Sequence, residues 1–390
     1  MIERWTMPDL PFFDDSHRAL GERLADWVEQ AEEPAEEGSA YFRQECLDVA
    51  AEMAEWGFLG YVIPDVEEPA PRVDVRAVSL IREALGFRSA LVDSVFTMQG
   101  LATAPLWLSE SRVLSRRYLG PCRRGEKIAG FAVTEPNAGS DVAALETSAT
   151  RDGTDFVLNG TKRWITNAGA ADHYIVVART GEAPGARGLS AFMVDADTPG
   201  LSVGPEVRMI APHPIGELIF DACRIPATNM IGAPGEGFKA AMKTFDIFRT
   251  SVGAAAVGMA RRALGATVER MRGRQLFGNP MGQMPTVQAA MADMALDTEQ
   301  ASLLVYRAAW LRDTRDGRHS DAVAMAKLGA TEAAQRVADQ AVQLFGALGV
   351  AHGSIVEQIY RDVRPMRIYE GASEVQKLII GRSLMKGGEA

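Results

Sequence analysis

The segments FAVTEPNAGSD (131–141) and NGTKRWITNAG (159–169) decide how the rest of the chain is interpreted. Both are rich in Gly, Ser and Thr next to β-forming residues, and such loops expose N–H groups and hydroxyls to a ligand at close range. Trp164 near Thr166 would offer a flat face with a hydrogen-bond donor close by, which suits an aromatic heterocycle. The residues alone are equally compatible with two ordinary turns and a buried Trp.

Short β-forming runs accompany the two segments. They lie at 156–158, 173–178, 189–194 and 217–220, and Gly, Asp and Asn punctuate them. Short strands at this spacing predict a compact β-barrel or sandwich of about 100 residues.

Helical periodicity dominates on both sides of this β region. In the first helix Leu20, Leu24 and Trp27 share one face, with charged residues elsewhere on the turn. The other predicted helices are 41–57, 73–86, 90–104, 236–273, 286–315, 320–346 and 353–364. The last four are long enough to indicate a bundle. The acidic stretch 30–39 is predicted to be a loop.

The predicted fold is therefore mainly α with a central β domain. We predict an N-terminal helical domain at 1–128, a small β-barrel or sandwich at 129–234 and a C-terminal four-helix bundle at 235–390. A chain of 390 residues exceeds the size of most single cores, which agrees with several packed units.

Composition excludes several classes of protein. A net charge of −10 gives little counterion-release energy on DNA or RNA, so no nucleic-acid role is expected. Cys46, Cys122 and Cys223 are far apart and odd in number, which argues against a disulfide scaffold and a zinc site and fits a cytoplasmic protein. The first residues do not form a signal peptide, and no run approaches about 18 apolar residues, so no membrane span is expected.

The motif TEPNAGSD followed by NGTKRWITNAG resembles the corresponding motifs of the acyl-CoA dehydrogenase family, and the resemblance extends over nearly the whole chain. It implies a non-covalent FAD held by Phe131, Val133, Thr134, Gly139, Ser140, Trp164, Ile165 and Thr166. In this comparison Trp164 would lie on the isoalloxazine and Ser140 between flavin and thioester. Thr166 would hydrogen-bond near N5, which stabilises the charge that accumulates as hydride arrives.

Two further motifs resemble cofactor contacts made across a subunit interface. RQLFGNP (274–280) matches the family's RxxFGxP, which implies that Arg274 and Phe277 reach the FAD of a neighbouring subunit. A guanidinium fork suits a diphosphate, and the alternative is an Arg near a helix C-terminus that bonds the last carbonyls. Pro285 replaces the Gln often found eleven residues after the Arg, so that contact is not carried over.

QLFGALG (343–349) is similar to the family's QxxGGxG turn, which implies cofactor contacts for Gln343 and Gly346. Ala347 replaces the usual second Gly and reduces backbone freedom there. The alternative is a plain helix end capped by Gly.

From the residues alone, Glu370 in YEGASEVQ (369–376) would be a surface carboxylate near a helix N-terminus. Similarity to the family's YEGTSE segment implies instead that Glu370 is the catalytic base, with Gly371 at the substrate and Ser373 and Glu374 at FAD. Ala372 stands where Thr is frequent, so one hydroxyl contact is missing.

The chemistry explains why these parts occur together. The α-C–H of a thioester is a weak acid, and a carboxylate removes it only if the enolate-like charge on the carbonyl oxygen is stabilised. In the family the donors are the backbone N–H of the Glu, here Glu370, and a ribityl hydroxyl of FAD. Desolvation by the acyl chain should raise the carboxylate pKa.

Two arginines bear on the substrate. Asp246 and Arg249 match a family Asp-x-x-Arg beside the substrate, although they could be a solvated i,i+3 pair. Arg88, in FRSA (87–90), resembles the Arg that holds the distal carboxylate of glutaryl-CoA, but a surface Arg at a helix start is the more favoured interpretation.

The resemblance thus implies α,β-dehydrogenation of an acyl-CoA, or a carrier-protein thioester, to the trans-2-enoyl product. It also implies a homotetramer or homodimer and an electron-transfer flavoprotein as oxidant. The alternatives are an oxygen-reactive oxidase and a non-catalytic flavin-fold protein. Retention of Glu370 argues against a monooxygenase.

Overall fold

The computed structural model describes residues 4–31, 42–68, 71–109, 111–205, 207–211 and 213–386. From position 32 onward, the predicted acidic loop lies outside the described residues. Helices come first along the chain, strands follow, and helices return. The predicted mainly helical fold with a central β region is confirmed.

The elements before the sheet are α1 (Asp15–Gln30), α2 (Phe42–Glu55), α3 (Val75–Arg88), α4 (Ala90–Leu101), α5 (Ala104–Leu108) and α6 (Arg112–Arg123). The predicted helix at 90–104 corresponds to α4, which ends three residues earlier, and a separate short helix, α5, begins at Ala104. Pro105 lies at the start of α5, where a missing N–H costs nothing, whereas inside a longer helix it would break a hydrogen bond.

The central strands are β1 (Ala129–Ala132), β2 (Ser148–Asp152), β3 (Asp155–Thr166), β4 (His173–Arg179), β5 (Leu189–Asp195), β6 (Leu201–Val203), β7 (Ile215–Pro226) and β8 (Met230–Ile231). They form one sheet in the order β6-β7-β3-β2-β4-β5-β8, with β1 parallel to β4. All four β runs found in the sequence lie in this sheet. The sequence pattern did not indicate β1, β2, β6 or β8, because two to five residues are too few to show an alternation.

The later elements are α7 (Gly237–Gly273), β9 (Gln275–Leu276), β10 (Asn279–Pro280), α8 (Pro285–Thr314), α9 (Ser320–Phe345), α10 (Ile355–Val363) and α11 (Ser373–Met385). Helices α7 to α10 bury one apolar core, to which Val252, Val305, Ala330 and Val356 each contribute from a different helix. The many alanines of this core let the helix axes approach closely.

The chain divides into two compact units by its internal contacts. The first comprises residues 1–34, 74–93 and 248–390, and the second comprises residues 35–73 and 94–247. The three-domain boundaries predicted from the sequence rest on secondary-structure type, and they remain a prediction.

Inside the first unit, α3 and α7 cross at very short range. A Cβ on Gly258 would lie 2.0 Å from the Glu83 carbonyl oxygen, and one on Gly86 would lie 2.7 Å from that of Ala255. Only residues without side chains permit this approach, which brings the buried Arg82 and Glu83 of α3 against α7.

All three cysteines are buried free thiols. Burial raises the pKa of Cys46 and Cys122 to about 12 and that of Cys223 to about 11. Among the described residues, no helix combines the length and apolar character needed to cross a bilayer.

Candidate active site

Glu370 lies on a tight turn in the first unit, just before α11. The turn begins where the N–H groups of Ile368 and Tyr369 both donate to the Pro365 carbonyl. Glu370 has a φ of 51° and Gly371 a φ of 97°, so two consecutive residues are left-handed. A left-handed non-glycine residue is uncommon and costs about 1–3 kcal/mol, and such residues cluster at functional sites.

Three side chains donate hydrogen bonds to the two carbonyls of this turn. Arg249 Nε donates to the Glu370 oxygen at 3.2 Å. Lys327 Nζ and Gln376 Nε2 both donate to the Gly371 oxygen at 2.9 Å. The donors come from α7, α9 and α11, so the packed bundle over-determines the strained turn.

The Glu370 side chain is half-buried, and its carboxyl group forms no ion pair within the described residues. Its Oε2 is buried and has no hydrogen-bond partner within the described residues. Burial raises the pKa of Glu370, and the positive charges of Arg82, Arg249 and Lys327 only partly oppose that shift. A desolvated carboxylate with a raised pKa is a stronger base than one in water.

A buried ion pair lies close to this carboxyl. Arg82 and Asp93 are 2% and 3% exposed and share two hydrogen bonds of 2.8 Å, while Arg82 Nη1 also donates to Ser251 Oγ at 3.1 Å. Burial raises the pKa of Tyr369 well above its ordinary range, so this neighbour stays neutral.

Ser373 and Glu374, the first two residues of α11 after the turn, differ in exposure. Ser373 is buried, and its hydroxyl donates to Glu332 Oε1 at 2.6 Å, whereas Glu374 is exposed. The predicted cofactor contact of Ser373 would therefore use its backbone or an oxygen lone pair. The structure brings together Glu370, Gly371 and Arg249 as the sequence predicts, and their roles remain a proposal.

In the second unit, Trp164 is presented by a bulge in β3. Lys162 pairs with Leu218 and Ile165 with Gly216, so β3 carries one extra residue here. Trp164 adopts a φ of 60° and is 46% exposed, with the Arg163 guanidinium 5.1 Å from its ring centroid. The sequence alternative of a buried Trp is therefore wrong.

A buried ion pair holds the two signature segments together. Lys162 Nζ lies 2.7 Å from Glu135 Oε1 and donates to the Val133 carbonyl at 2.9 Å. Burial lowers the pKa of Lys162 to about 8, against the opposing effect of Glu135. Glu135 also accepts from the N–H groups of Glu146 and Thr147, so the loop after β1 is fixed from both ends.

The other predicted cofactor residues of this unit fall into a buried group and a group that reaches the surface. Phe131, Val133 and Ile165 are buried, and Phe131 packs against Phe245 with ring centroids 5.6 Å apart. Gly139, Ser140 and part of Thr134 and Thr166 reach the surface. The hydroxyls of Thr134, Ser140 and Thr166 have no hydrogen-bond partner within the part of the chain that the structure describes.

Arg274 follows the end of α7 and begins the β9–β10 hairpin. Phe277 and Gly278 form the two-residue turn, both with positive φ, and Phe277 is 88% exposed. Arg274 is exposed, and its guanidinium has no ion pair within the described residues. Gln343 and Gly346 are also exposed, at the end of α9, where Gly346 has a φ of 65°.

Arg274 lines a pocket of about 1010 Å³ in the first unit, together with Arg88, Arg262, Arg270 and Phe345. Arg88 ends α3 rather than starting a helix, and its Nε donates to the Ala31 carbonyl at 3.1 Å. Arg270 donates to the Phe345 carbonyl at 3.4 Å. Arg88 and Arg270 lie in the last turn of their helices and Arg274 follows one, and cations at these positions offset the helix dipole.

The sequence interpretation missed Lys327 and the Arg82–Asp93 pair. Lys327 is fully buried on the apolar stripe of α9, with Val323, Ala330 and Thr331 as buried neighbours one turn away. A single lysine on an otherwise apolar helical stripe is a signal that could have identified it, since unpaired lysines are almost never buried.

Family models and known proteins match this chain over most of its length. The acyl-CoA dehydrogenase C-terminal domain model matches residues 235–385, and the middle domain model matches residues 130–223. The mitochondrial short-chain specific acyl-CoA dehydrogenase of Mus musculus is 36% identical over 377 residues, which are 95% of this chain and 90% of that protein.

Two solved structures are similar over almost the whole chain. Butyryl-CoA dehydrogenase from Megasphaera elsdenii has a TM-score of 0.85 at 31% identity, covering 97% of this chain and 100% of that one. A glutaryl-CoA dehydrogenase from Mycobacterium smegmatis in complex with FADH2 has a TM-score of 0.87 at 25% identity, covering 97% and 96%. This chain therefore belongs to the acyl-CoA dehydrogenase family and is an oxidoreductase that dehydrogenates acyl-CoA thioesters.

Proposed function

We propose that Glu370 removes the α-proton of a saturated acyl-CoA, so that the chain forms the trans-2-enoyl-CoA. The observation that carries this proposal is the enclosed, unpaired Oε2 of Glu370 on a strained turn held by Arg249, Lys327 and Gln376. A surface carboxylate with only a stabilising role would be solvated and would need no such support.

The backbone of the same turn supplies a donor for the developing charge. Within the described residues, the N–H of Glu370 donates to no acceptor. The carbonyls of Glu370 and Gly371, in contrast, both accept hydrogen bonds from side chains. An N–H held in this way can donate to the thioester oxygen as enolate character develops there. Gly371 would lie beside the substrate, and Arg249 fixes the peptide that joins it to Glu370.

The residues of the second unit fit a flavin. Trp164 offers an exposed aromatic face, and the unpartnered hydroxyls of Thr134, Ser140 and Thr166 suit the polar edge of a heterocycle. We propose that these residues, with Phe131, Val133, Gly139 and Ile165, hold the isoalloxazine of FAD. When bound, FAD supplies the acceptor for the β-hydride.

The exposed groups of the first unit fit the diphosphate part of FAD. Arg274 has no carboxylate partner within the described residues, and a guanidinium fork matches phosphate oxygens. We propose that Arg274, Phe277, Gln343 and Gly346, with Ser373 and Glu374, contact FAD, the first four across the interface of a homotetramer or homodimer. The 88% exposure of Phe277 on a strained hairpin supports burial by a second copy.

The acyl chain is proposed to be uncharged at its distal end. Arg88, the one residue that indicated a distal carboxylate, donates to the Ala31 carbonyl at the end of α1. An electron-transfer flavoprotein is the proposed oxidant.

Anaerobic addition of an acyl-CoA panel to the FAD-loaded chain tests the function. We expect at least one saturated acyl-CoA to bleach the flavin absorbance and to yield one equivalent of enoyl-CoA. The panel includes glutaryl-CoA, and bleaching by it alone would restore the substrate role of Arg88. Oxygen uptake during turnover would identify an oxidase, and a panel with no bleaching at all would leave only a binding role.

The pH dependence of kcat/KM provides a second prediction. Because burial raises the pKa of Glu370 and the base must be ionised, kcat/KM should fall with decreasing pH at a value above about 4.3, the ordinary pKa of a glutamate. Asp362 is the control, since burial also raises the pKa of that carboxyl, to about 7. The acid limb should persist in Asp362→Asn, and a limb that vanishes there would assign the ionisation to Asp362 instead.

A further inference from the structure

Lys327 is a buried cation whose charge has no role in the chemistry proposed so far, although its hydrogen bond holds the Glu370 turn. It is 0% exposed, and the α9 stripe around it consists of small apolar residues and Thr331. Burial lowers its pKa to about 8, so enclosing this ammonium opposes folding at neutral pH. An apolar side chain of the same length would avoid that cost, so we expect the charge of Lys327 to have a function.

The contacts of Lys327 lead to the turn that carries Glu370. Its Nζ donates to the Gly371 carbonyl at 2.9 Å, and the same oxygen accepts from Gln376 Nε2 at 2.9 Å. A Cβ on Gly371 would lie 2.4 Å from Gln376 Nε2, so this donor packs directly on the turn. Fixing the Gly371 carbonyl fixes the Gly371–Ala372 peptide plane, and Arg249 holds the Glu370–Gly371 plane before it. Together the two contacts fix the left-handed geometry from which the Glu370 carboxyl projects.

The charge of Lys327 also acts on the carboxyl itself. The groups that influence Lys327 are Glu370 in the turn, Arg249 on α7, Glu332 on α9 and Glu374 on α11. Those that influence Glu370 are Arg82 on α3, Asp93 on α4, Arg249 and Lys327. Arg82 already shares two hydrogen bonds with Asp93, which opposes its effect on Glu370. Lys327 has no ion pair within the described residues, and its hydrogen bond goes to a neutral carbonyl.

We propose that Lys327 is a positioning residue for the dehydrogenation: its ammonium group anchors the Gly371 carbonyl, aims the Glu370 carboxylate and keeps that carboxylate ionised. The proposal rests on Glu370 being the base. It adds a residue from the first third of α9, 43 positions before Glu370 in sequence, to those that set the strength of the base.

Three substitutions separate the two parts of this role. Lys327→Met removes both the hydrogen bond and the charge, Lys327→Gln removes the charge but keeps a donor, and Lys327→Arg keeps both. Lys377→Met on α11 is the control, because it removes the same charge from an exposed position. All are made in the full-length, FAD-loaded protein.

In steady-state kinetics, Lys327→Met and Lys327→Gln should move the acid limb of kcat/KM upward by about one pH unit, because an opposite charge near a carboxylate lowers its pKa by roughly that amount or more. Lys327→Met should in addition lower kcat on the order of 10²-fold through misplacement of the base. Lys327→Arg and Lys377→Met should leave the limb in place. A wild-type limb in both Lys327→Met and Lys327→Gln overturns the proposal.

A direct titration keeps this test independent of turnover. The infrared C=O band of the protonated Glu370 carboxyl, assigned by difference against Glu370→Gln, gives its pKa in each variant. We expect that pKa to rise in Lys327→Met and Lys327→Gln and to stay constant in Lys377→Met. If the chain turned over no acyl-CoA, a raised carboxyl pKa in these two variants would still support the contact, and an unchanged one would refute it. If Lys327→Met does not fold, Lys327→Gln and Lys327→Arg give the same comparison.

Discussion

Glu370→Gln should abolish nearly all turnover and leave the yellow cofactor bound. The amide has the shape of the carboxyl but cannot take a proton, and loss of a general base typically costs about 10²–10⁴-fold in rate. Rapid-mixing measurements of flavin bleaching by the best acyl-CoA of the panel would measure this loss at the chemical step. Glu299→Gln, an exposed position on α8, is the control and should keep wild-type rates.

The same variant should not be less stable than the wild type. Burial raises the pKa of Glu370, so its ionisation opposes folding at every pH above its unfolded pKa, and the penalty is complete above the folded pKa. Removing the charge removes that penalty, so Glu370→Gln should melt at the same or a higher temperature near neutral pH. Full activity in a folded, FAD-bound Glu370→Gln would refute the assignment of the base.

Asp93→Ala should cause the largest loss of stability among single substitutions near the site. Within the described residues, Arg82 would remain buried and charged with the Ser251 hydroxyl as its hydrogen-bond partner, and breaking a buried pair in this way costs about 3–5 kcal/mol. The free energy of unfolding, measured by denaturant titration with far-UV circular dichroism, should fall by that amount.

Asp297→Ala is the matched control for this prediction. Asp297 also forms two hydrogen bonds with an arginine, Arg336, at 2.6 and 2.9 Å, but the Arg336 side chain is 58% exposed. Solvent replaces the lost partner there, so the expected cost is below about 1 kcal/mol. Equal losses in the two variants would show that burial does not set the strength of the Arg82–Asp93 pair.

Much of the fold could be predicted from the sequence because its signals are local. Leu20, Leu24 and Trp27 are buried on one face of α1, as their spacing indicates. The four bundle helices end within two residues of their predicted bounds, since Gly and Pro mark their ends. The break between α4 and α5 has a local signal in Pro105, which the apolar periodicity does not show. The division into two units depends on distant contacts, which periodicity does not contain.

The candidate site shows the same limit more strongly. From its own neighbours, Glu370 is an ordinary carboxylate before a helix, and only the family resemblance indicated a base. Its enclosure depends on Arg249 and Lys327, which are 121 and 43 positions away in the chain. Exposure of Trp164 likewise follows from one extra residue in the pairing of β3 with β7, which no reading of β3 alone could reveal.

The burial of Cys46, Cys122 and Cys223 gives the second unit an intrinsic reporter. All three thiols lie in that unit, and burial keeps each of them protonated and out of reach of reagents. Alkylation of these thiols in the native protein therefore requires this unit to open. The alkylation rate measures how often the unit opens, and not the reactivity of exposed thiols. Mass-resolved labelling of the three positions would show whether α2, α6 and β7 open together or one at a time.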